Sequence, residues 1–218
     1  ELINRFLSAP HFPQDIINKL SEFLEITHTP LAVRSPSLLE DSQYQPFAGV
    51  YETYMIANNN PDLQVRLAEL LQAIKLVYAS TFAKSAKDYM KATAYRMEEE
   101  KMAVIIQKMV GSARHGRYYP EFAGVAKSYN FYPVPPQKPT DGIVLVALGL
   151  GQTVVEGGTT VRFCPKYPKH LLQFFSTKET LRNAQQAFYA LNVDESLNRS
   201  NGQTPDMFVQ QYDLSKAE

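Results

Sequence analysis

An arginine closes a short apolar run. Leu31-Ala32-Val33 is followed by Arg34, and then by Ser35-Pro36-Ser37. Such a run is long enough for a buried strand. Pro36 disfavours helix at Ser35 and removes one backbone donor. Arg34 carries a fixed charge and a planar fork of donors that suits phosphate or carboxylate. An acidic pair, Glu40-Asp41, comes next, and then a second apolar segment broken by Gly49. A glycine there lets a ligand approach the backbone. Two chemistries fit these residues: an anion site built on Arg34, and an ion pair between Arg34 and Glu40 or Asp41. Residue types alone leave both open.

Other reactive side chains are sparse. Residues 112–119 hold Arg114, His115 and Arg117, which suit either a phosphate or a solvated hairpin tip. Glu98-Glu99-Glu100 reads as a solvated helix end, because consecutive helical carboxylates do not converge on a metal. His28 lies alone on a connector. Cys164 is the single cysteine. It excludes an internal disulfide framework and a cysteine-rich zinc site, and it fits a reducing, cytoplasmic setting.

The elements that would position these residues follow from periodicity. Residues 13–26 read as a helix with Pro13 at its first position and Ile16, Ile17, Leu20, Phe23 and Leu24 on one face. Asn60 and Pro61 suit the start of a second helix, striped by Leu67, Leu70, Leu71, Ile74 and Tyr78 and ending near Ser80. A third is expected over 85–99, with Ala86, Tyr89, Met90, Thr93 and Met97 inward. Residues 102–110 form a strand by their β-branched content. The proline-rich stretch 129–140 is neither helix nor central strand. Residues 142–148 read as a buried strand. Gly149 and Gly151 then bracket a turn, and residues 156–158 read as a hairpin turn between strands at 153–155 and 159–163. Ser176 and Glu179 make a capping box for a helix through Leu181, Ala184, Phe188 and Leu191. Residues 206–218 fit no element.

The 218 residues suit one large domain or two small lobes. Acidic and basic residues balance at 22 each, so no global field draws the chain to nucleic acid or an anionic membrane. No apolar run is long enough to span a bilayer. The first residues lack a signal peptide's basic start and apolar core. A start at Glu1 and a charged tail suggest a piece of a longer protein.

Residues 33–41 and 47–53 resemble the V-R-S-S-A-T-A-E-D and F-A-G-Q-x-E-T segments of the pyruvate phosphate dikinase and phosphoenolpyruvate synthase family. Two later segments agree in order: MAVIIQKMV at 102–110 and GLGQTVVEG at 149–157. The resemblance covers roughly residues 20–165. It implies an α+β, ATP-grasp-like fold with a mixed, mostly antiparallel sheet and flanking helices. It also implies one partial nucleotide-binding domain over 1–218: a helical lead-in over 1–30, a motif-bearing core over 31–165 and a helical extension over 166–218. Arg34 takes the catalytic role, neutralising terminal phosphate. Ser35 and Gly124 lie at the phosphates through backbone amides, Ala123 stands where a phosphate-contacting hydroxyl is usual, Lys108, Met109 and Val110 lie at the adenine, and Gly49, Gln107 and Gln152 are further nucleotide-binding positions.

The resemblance thus implies ATP and Mg2+ as cofactors, with the metal's protein ligands outside this chain. Phosphate would pass from ATP to a histidine on another domain, with a phosphohistidine domain and a pyruvate-binding domain as partners. Departures from the pattern motivate an alternative, a degenerate nucleotide-binding or docking module without catalysis. Pro36 stands for serine, Ala123 for a hydroxyl residue and Gln152 for glutamate. The family's phosphate-holding lysine has no counterpart, since Lys19 does not match, and Tyr212-Asp213-Leu214 is too thin a match to its D-x-E strand. The isolated chain is therefore expected to be inactive.

Overall fold

The computed structural model describes residues 2–9, 12–36, 51–92, 102–194 and 209–216. Gly49, the acidic pair Glu40-Asp41, Glu98-Glu99-Glu100 and the outer half of the helix expected over 85–99 lie outside them. The chain divides into two compact units. One comprises 1–109 and 191–209, the other 110–190 and 210–218.

The first unit begins with α1 (Leu2–Ser8) and α2 (Gln14–Ile26). Pro13 is the N-cap of α2, with extended ψ of 134°, rather than its first helical residue. The chain then enters β1 (Leu31–Arg34), β2 (Tyr54–Ile56), α3 (Leu63–Ser80), α4 (Lys84–Ala92) and β3 (Ile105–Lys108). Asp62, not Asn60, caps α3: its Oδ1 accepts the Gln64 N–H at 2.8 Å. Asn60 accepts from Asp62 and so shapes the turn before it.

Leu67, Leu70, Ile74 and Val77 form the inner face of α3, and the expected Tyr78 is 37% exposed. With Leu24, Leu31, Val33 and Ile56 they make one apolar core. Lys75 Nζ donates to the Leu7 and Ala9 carbonyls at 3.3 and 2.6 Å, satisfying the end of α1.

The first sheet has the order β2-β1-β3, antiparallel throughout. β3 is shorter than the strand expected over 102–110, because its ladder partner β1 has only four residues. One further bond, from Met109 N–H to Pro30 O at 2.9 Å, extends the contact.

The second unit contains β4 (Ser112–Arg114), β5 (Arg117–Tyr119), β6 (Ala123–Lys127), β7 (Ile143–Ala147), α5 (Gln152–Val155), β8 (Val161–Phe163) and α6 (Thr177–Asn183). β9 (Ala187–Asn192) and β10 (Val209–Asp213) join β5 and β4 in the order β10-β9-β5-β4. Tyr119, Phe188 and Tyr212 stack through this sheet, with ring centroids 4.9 and 5.8 Å apart. The other sheet, β6-β7-β8, is antiparallel. Its central strand is buried only at Ile143 and Ala147; Val144, Leu145 and Val146 are half-buried.

Three expectations change here. Residues 152–155 are a helical turn, with the Val154 and Val155 N–H groups on Gly151 O, so no hairpin turn lies at 156–158. Ser176 does cap α6, accepting from Glu179 N–H at 3.2 Å, but the helix ends at Asn183. Ala184 turns extended, with ψ of 138°, and Phe188 and Leu191 belong to β9. Residues 209–213, left without an element, form β10.

Candidate functional site

The register of the first sheet decides which predicted residues share a face. Val33 lies opposite Tyr54 and Ile106, all toward the α3 core. Side chains alternate along a strand, so Ala32, Arg34, Met55, Ile105 and Gln107 lie on the opposite face. Arg34 pairs with Ile105, and Gln107 with Ala32. Arg34 and Gln107 thus occupy one face of two neighbouring strands, whereas Lys108, opposite Leu31, is on the other. The Arg34 guanidinium has no hydrogen-bond or ion-pair partner among the described residues.

Ser35 follows directly. It is 1% exposed, and its hydroxyl has no partner among the described residues. A buried unpaired hydroxyl costs about 1–3 kcal/mol, so a ligand oxygen beside Arg34 would relieve that cost. Met109 is half-buried and ends the first unit; Val110, 83% exposed, begins the second.

In the second unit the structure brings Ala123, Gly124 and Gln152 to one end of the β6-β7-β8 sheet. Ala123 pairs with Ala147, and Gly124 with Val146. A Cβ on Gly151 would lie 3.8 Å from that of Ala123. A Cβ on Gly124 would sit 2.5 Å from Leu145 O, so packing against β7 already requires this glycine. Gly149 has φ of +85°, and a Cβ there would meet Tyr189 O at 2.6 Å. Leu150 N–H donates to that same carbonyl at 2.8 Å, which fixes the turn before α5. Gln152 Nε2 donates to Glu156 Oε1 at 2.8 Å.

The basic residues at 114–117 form a hairpin tip. His115 and Gly116 have φ of 48° and 75°, the two positive values of a type I′ turn. Arg114 pairs with Glu121 and lies over the Tyr119 ring at 5.2 Å; Arg117 lies over Tyr212 at 4.7 Å. The Glu121 carboxyl is held below its usual range by its own backbone N–H and then by Arg114. Among the described residues no group of three His, Cys, Asp or Glu side chains can hold a metal.

All of residues 1–218 match the family model described as pyruvate phosphate dikinase, AMP/ATP-binding domain, and the chain belongs to that family. It is 29% identical to the phosphoenolpyruvate synthase of Aeropyrum pernix over 73% of this chain and 18% of that protein. It is 28% identical to the rifampicin phosphotransferase of Bacillus cereus over 71% of this chain and 16% of the other. An uncharacterized phosphotransferase of Bacillus subtilis is 30% identical over 63% of this chain and 14% of its own length. The chain therefore spans less than a fifth of each of these relatives.

Proposed function

We propose that this chain is the ATP-binding part of a phosphoenolpyruvate synthase-like phosphotransferase, built as an ATP-grasp-type domain. ATP would pass a phosphoryl group to a histidine on another domain, which then serves pyruvate or another small acceptor. The observation that carries this reading is the Arg34–Ser35 step: among the described residues, neither the guanidinium nor the buried hydroxyl beside it has a partner. Arg34 would hold terminal phosphate oxygens, and Ser35 would supply a donor. Gln107 lies on the Arg34 face, and its amide would be a further contact to the nucleotide; the backbone of Lys108 to Val110 would read the adenine edge. Gly49 would let phosphate approach the backbone, with Ala123, Gly124 and Gln152 as further contacts. Mg2+ would arrive with the triphosphate and supply charge neutralisation, its protein ligands lying elsewhere. A cytoplasmic setting fits the single cysteine and the absence, among the described residues, of a helix able to cross a membrane.

The test is calorimetric titration of Mg-ATP into this chain and into Arg34→Ala. Saturable binding that weakens at least tenfold in the variant supports the reading. Equal affinities would sink it.

One observation favours a second reading, a nucleotide-sensing or docking module without catalysis. Gln152 stands where the family has glutamate, and its amide is engaged by Glu156. Binding of Mg-ATP by the longer protein, with no phosphohistidine formed, would select it.

A further inference from the structure

We propose that the cavity at the Ile143 end of the β6-β7-β8 sheet binds a small planar apolar molecule carrying a carboxylate or phosphate. The cavity has a volume of about 360 Å³, within the range of small-molecule sites. Tyr132, Val134, Ile143, Phe163 and Leu172 form its apolar walls. Tyr132 is 81%, Val134 41% and Leu172 47% exposed. Apolar surface here lines an open concavity instead of closing into core, as binding grooves do.

The polar groups of the wall fall into two sets. One set is committed to the fold. Gln173 Oε1 accepts the Arg162 N–H at 2.7 Å, its Nε2 donates to Thr160 O at 3.0 Å, and Asn130 Oδ1 accepts the Tyr132 N–H at 3.0 Å. The other set is uncommitted. Arg162, His170 and Gln137 line the cavity, and their side chains have no hydrogen-bond or ion-pair partner among the described residues.

The nearby carboxylate of Asp141 does not neutralise Arg162 or His170. It accepts from Lys166 Nζ at 3.1 Å and from the Lys138 N–H at 2.8 Å. Positive charge with a bidentate fork beside an apolar, aromatic wall complements an aromatic anion. Ile143 and Ala147 are the two ends of β7, so about 13 Å of strand separates this cavity from the glycine turn.

The test is a titration of the methyl-labelled chain followed by NMR. Indole-3-acetate is the carboxylate probe and phenyl phosphate the phosphate probe, with indole and inorganic phosphate as controls. Saturable shifts at the Val134, Ile143 and Leu172 methyls are expected, with one probe at least tenfold tighter than its control. The tighter probe identifies the anion. Arg162→Gln should weaken it about tenfold. Leu172→Gln, at an exposed position, should also weaken it while the remaining methyl signals stay in place. No saturable shift at millimolar probe, or equal affinity in Arg162→Gln, overturns the proposal. So does displacement of the probe by ATP, which would make the cavity the nucleotide site.

Discussion

Asn58 and Arg66 close on the same backbone carbonyl from two directions. Asn58 Nδ2 donates to Thr27 O at 2.9 Å, and Arg66 Nη1 donates to it at 3.1 Å; the two side chains lie 3.4 Å apart. Asn58 also reaches Thr29 O, and Arg66 reaches Leu24 O. Both residues are buried. Together they fix the exit of α2, the approach to β1 and the entry to α3, and so the position of the strand that ends in Arg34.

Removing either partner strands the other. Arg66→Ala should destabilise the protein by about 3–4 kcal/mol and Asn58→Ala by about 2 kcal/mol, because each leaves buried polar groups unpaired. The double variant should lose less than the sum, since the residues share a network. Urea denaturation with an unchanged m-value is the measurement. Additive losses would show that the two act separately.

Ser35 should separate stability from binding. Ser35→Ala removes a buried hydroxyl that has no partner among the described residues, so the unfolding free energy from urea denaturation should hold or rise, by up to about 1 kcal/mol. Affinity for Mg-ATP should fall several-fold in calorimetry. A loss of stability instead would mean that the hydroxyl serves the fold.

Burial raises the Glu69 carboxyl above its ordinary range, and the nearby Arg66 charge only partly offsets this. The folded state therefore holds that proton more tightly than the unfolded chain. The resulting stabilisation is present at acid pH and is lost as pH rises through the folded-state value. Glu69→Gln should thus raise the melting temperature at pH 7, with the gain shrinking toward pH 4. A gain that is flat across this range would rule out titration of Glu69 as the cause.

Gly149 should tolerate no side chain. Its φ of +85° and the 2.6 Å approach of a Cβ to Tyr189 O act together. Gly149→Ala is expected to cost about 2–4 kcal/mol in urea denaturation, from strain and overpacking. At Gly157, also with positive φ but with nothing within 4 Å, the same change should cost about 1 kcal/mol.

In the first unit α2 and α3 were legible because their apolar residues keep one period along a continuous face. Leu67, Leu70 and Ile74 are buried as the spacing requires. Thr153-Val154-Val155 misled, because β-branched residues favour a strand only when a ladder partner exists. Here Gly151 O takes the Val154 and Val155 N–H groups instead. Phe188 and Leu191 also fit a helical stripe. What ends that helix is a contact distant in sequence: the Gln185 amide exchanges two bonds with the Leu148 backbone, at 2.8 and 3.0 Å. The candidate site was legible as residue types. That Arg34 and Gln107 share a face was not, because it depends on the β1–β3 register.

The division of the chain carries a practical consequence. The first unit takes residues 1–109 and 191–209, the second 110–190 and 210–218. The changes fall after Met109, inside β9 after Ala190, and inside β10 after Val209. Neither unit is one uninterrupted stretch, so no single cut releases either of them intact. Expressing one alone requires splicing two segments, and a protease nick in β9 would damage both at once.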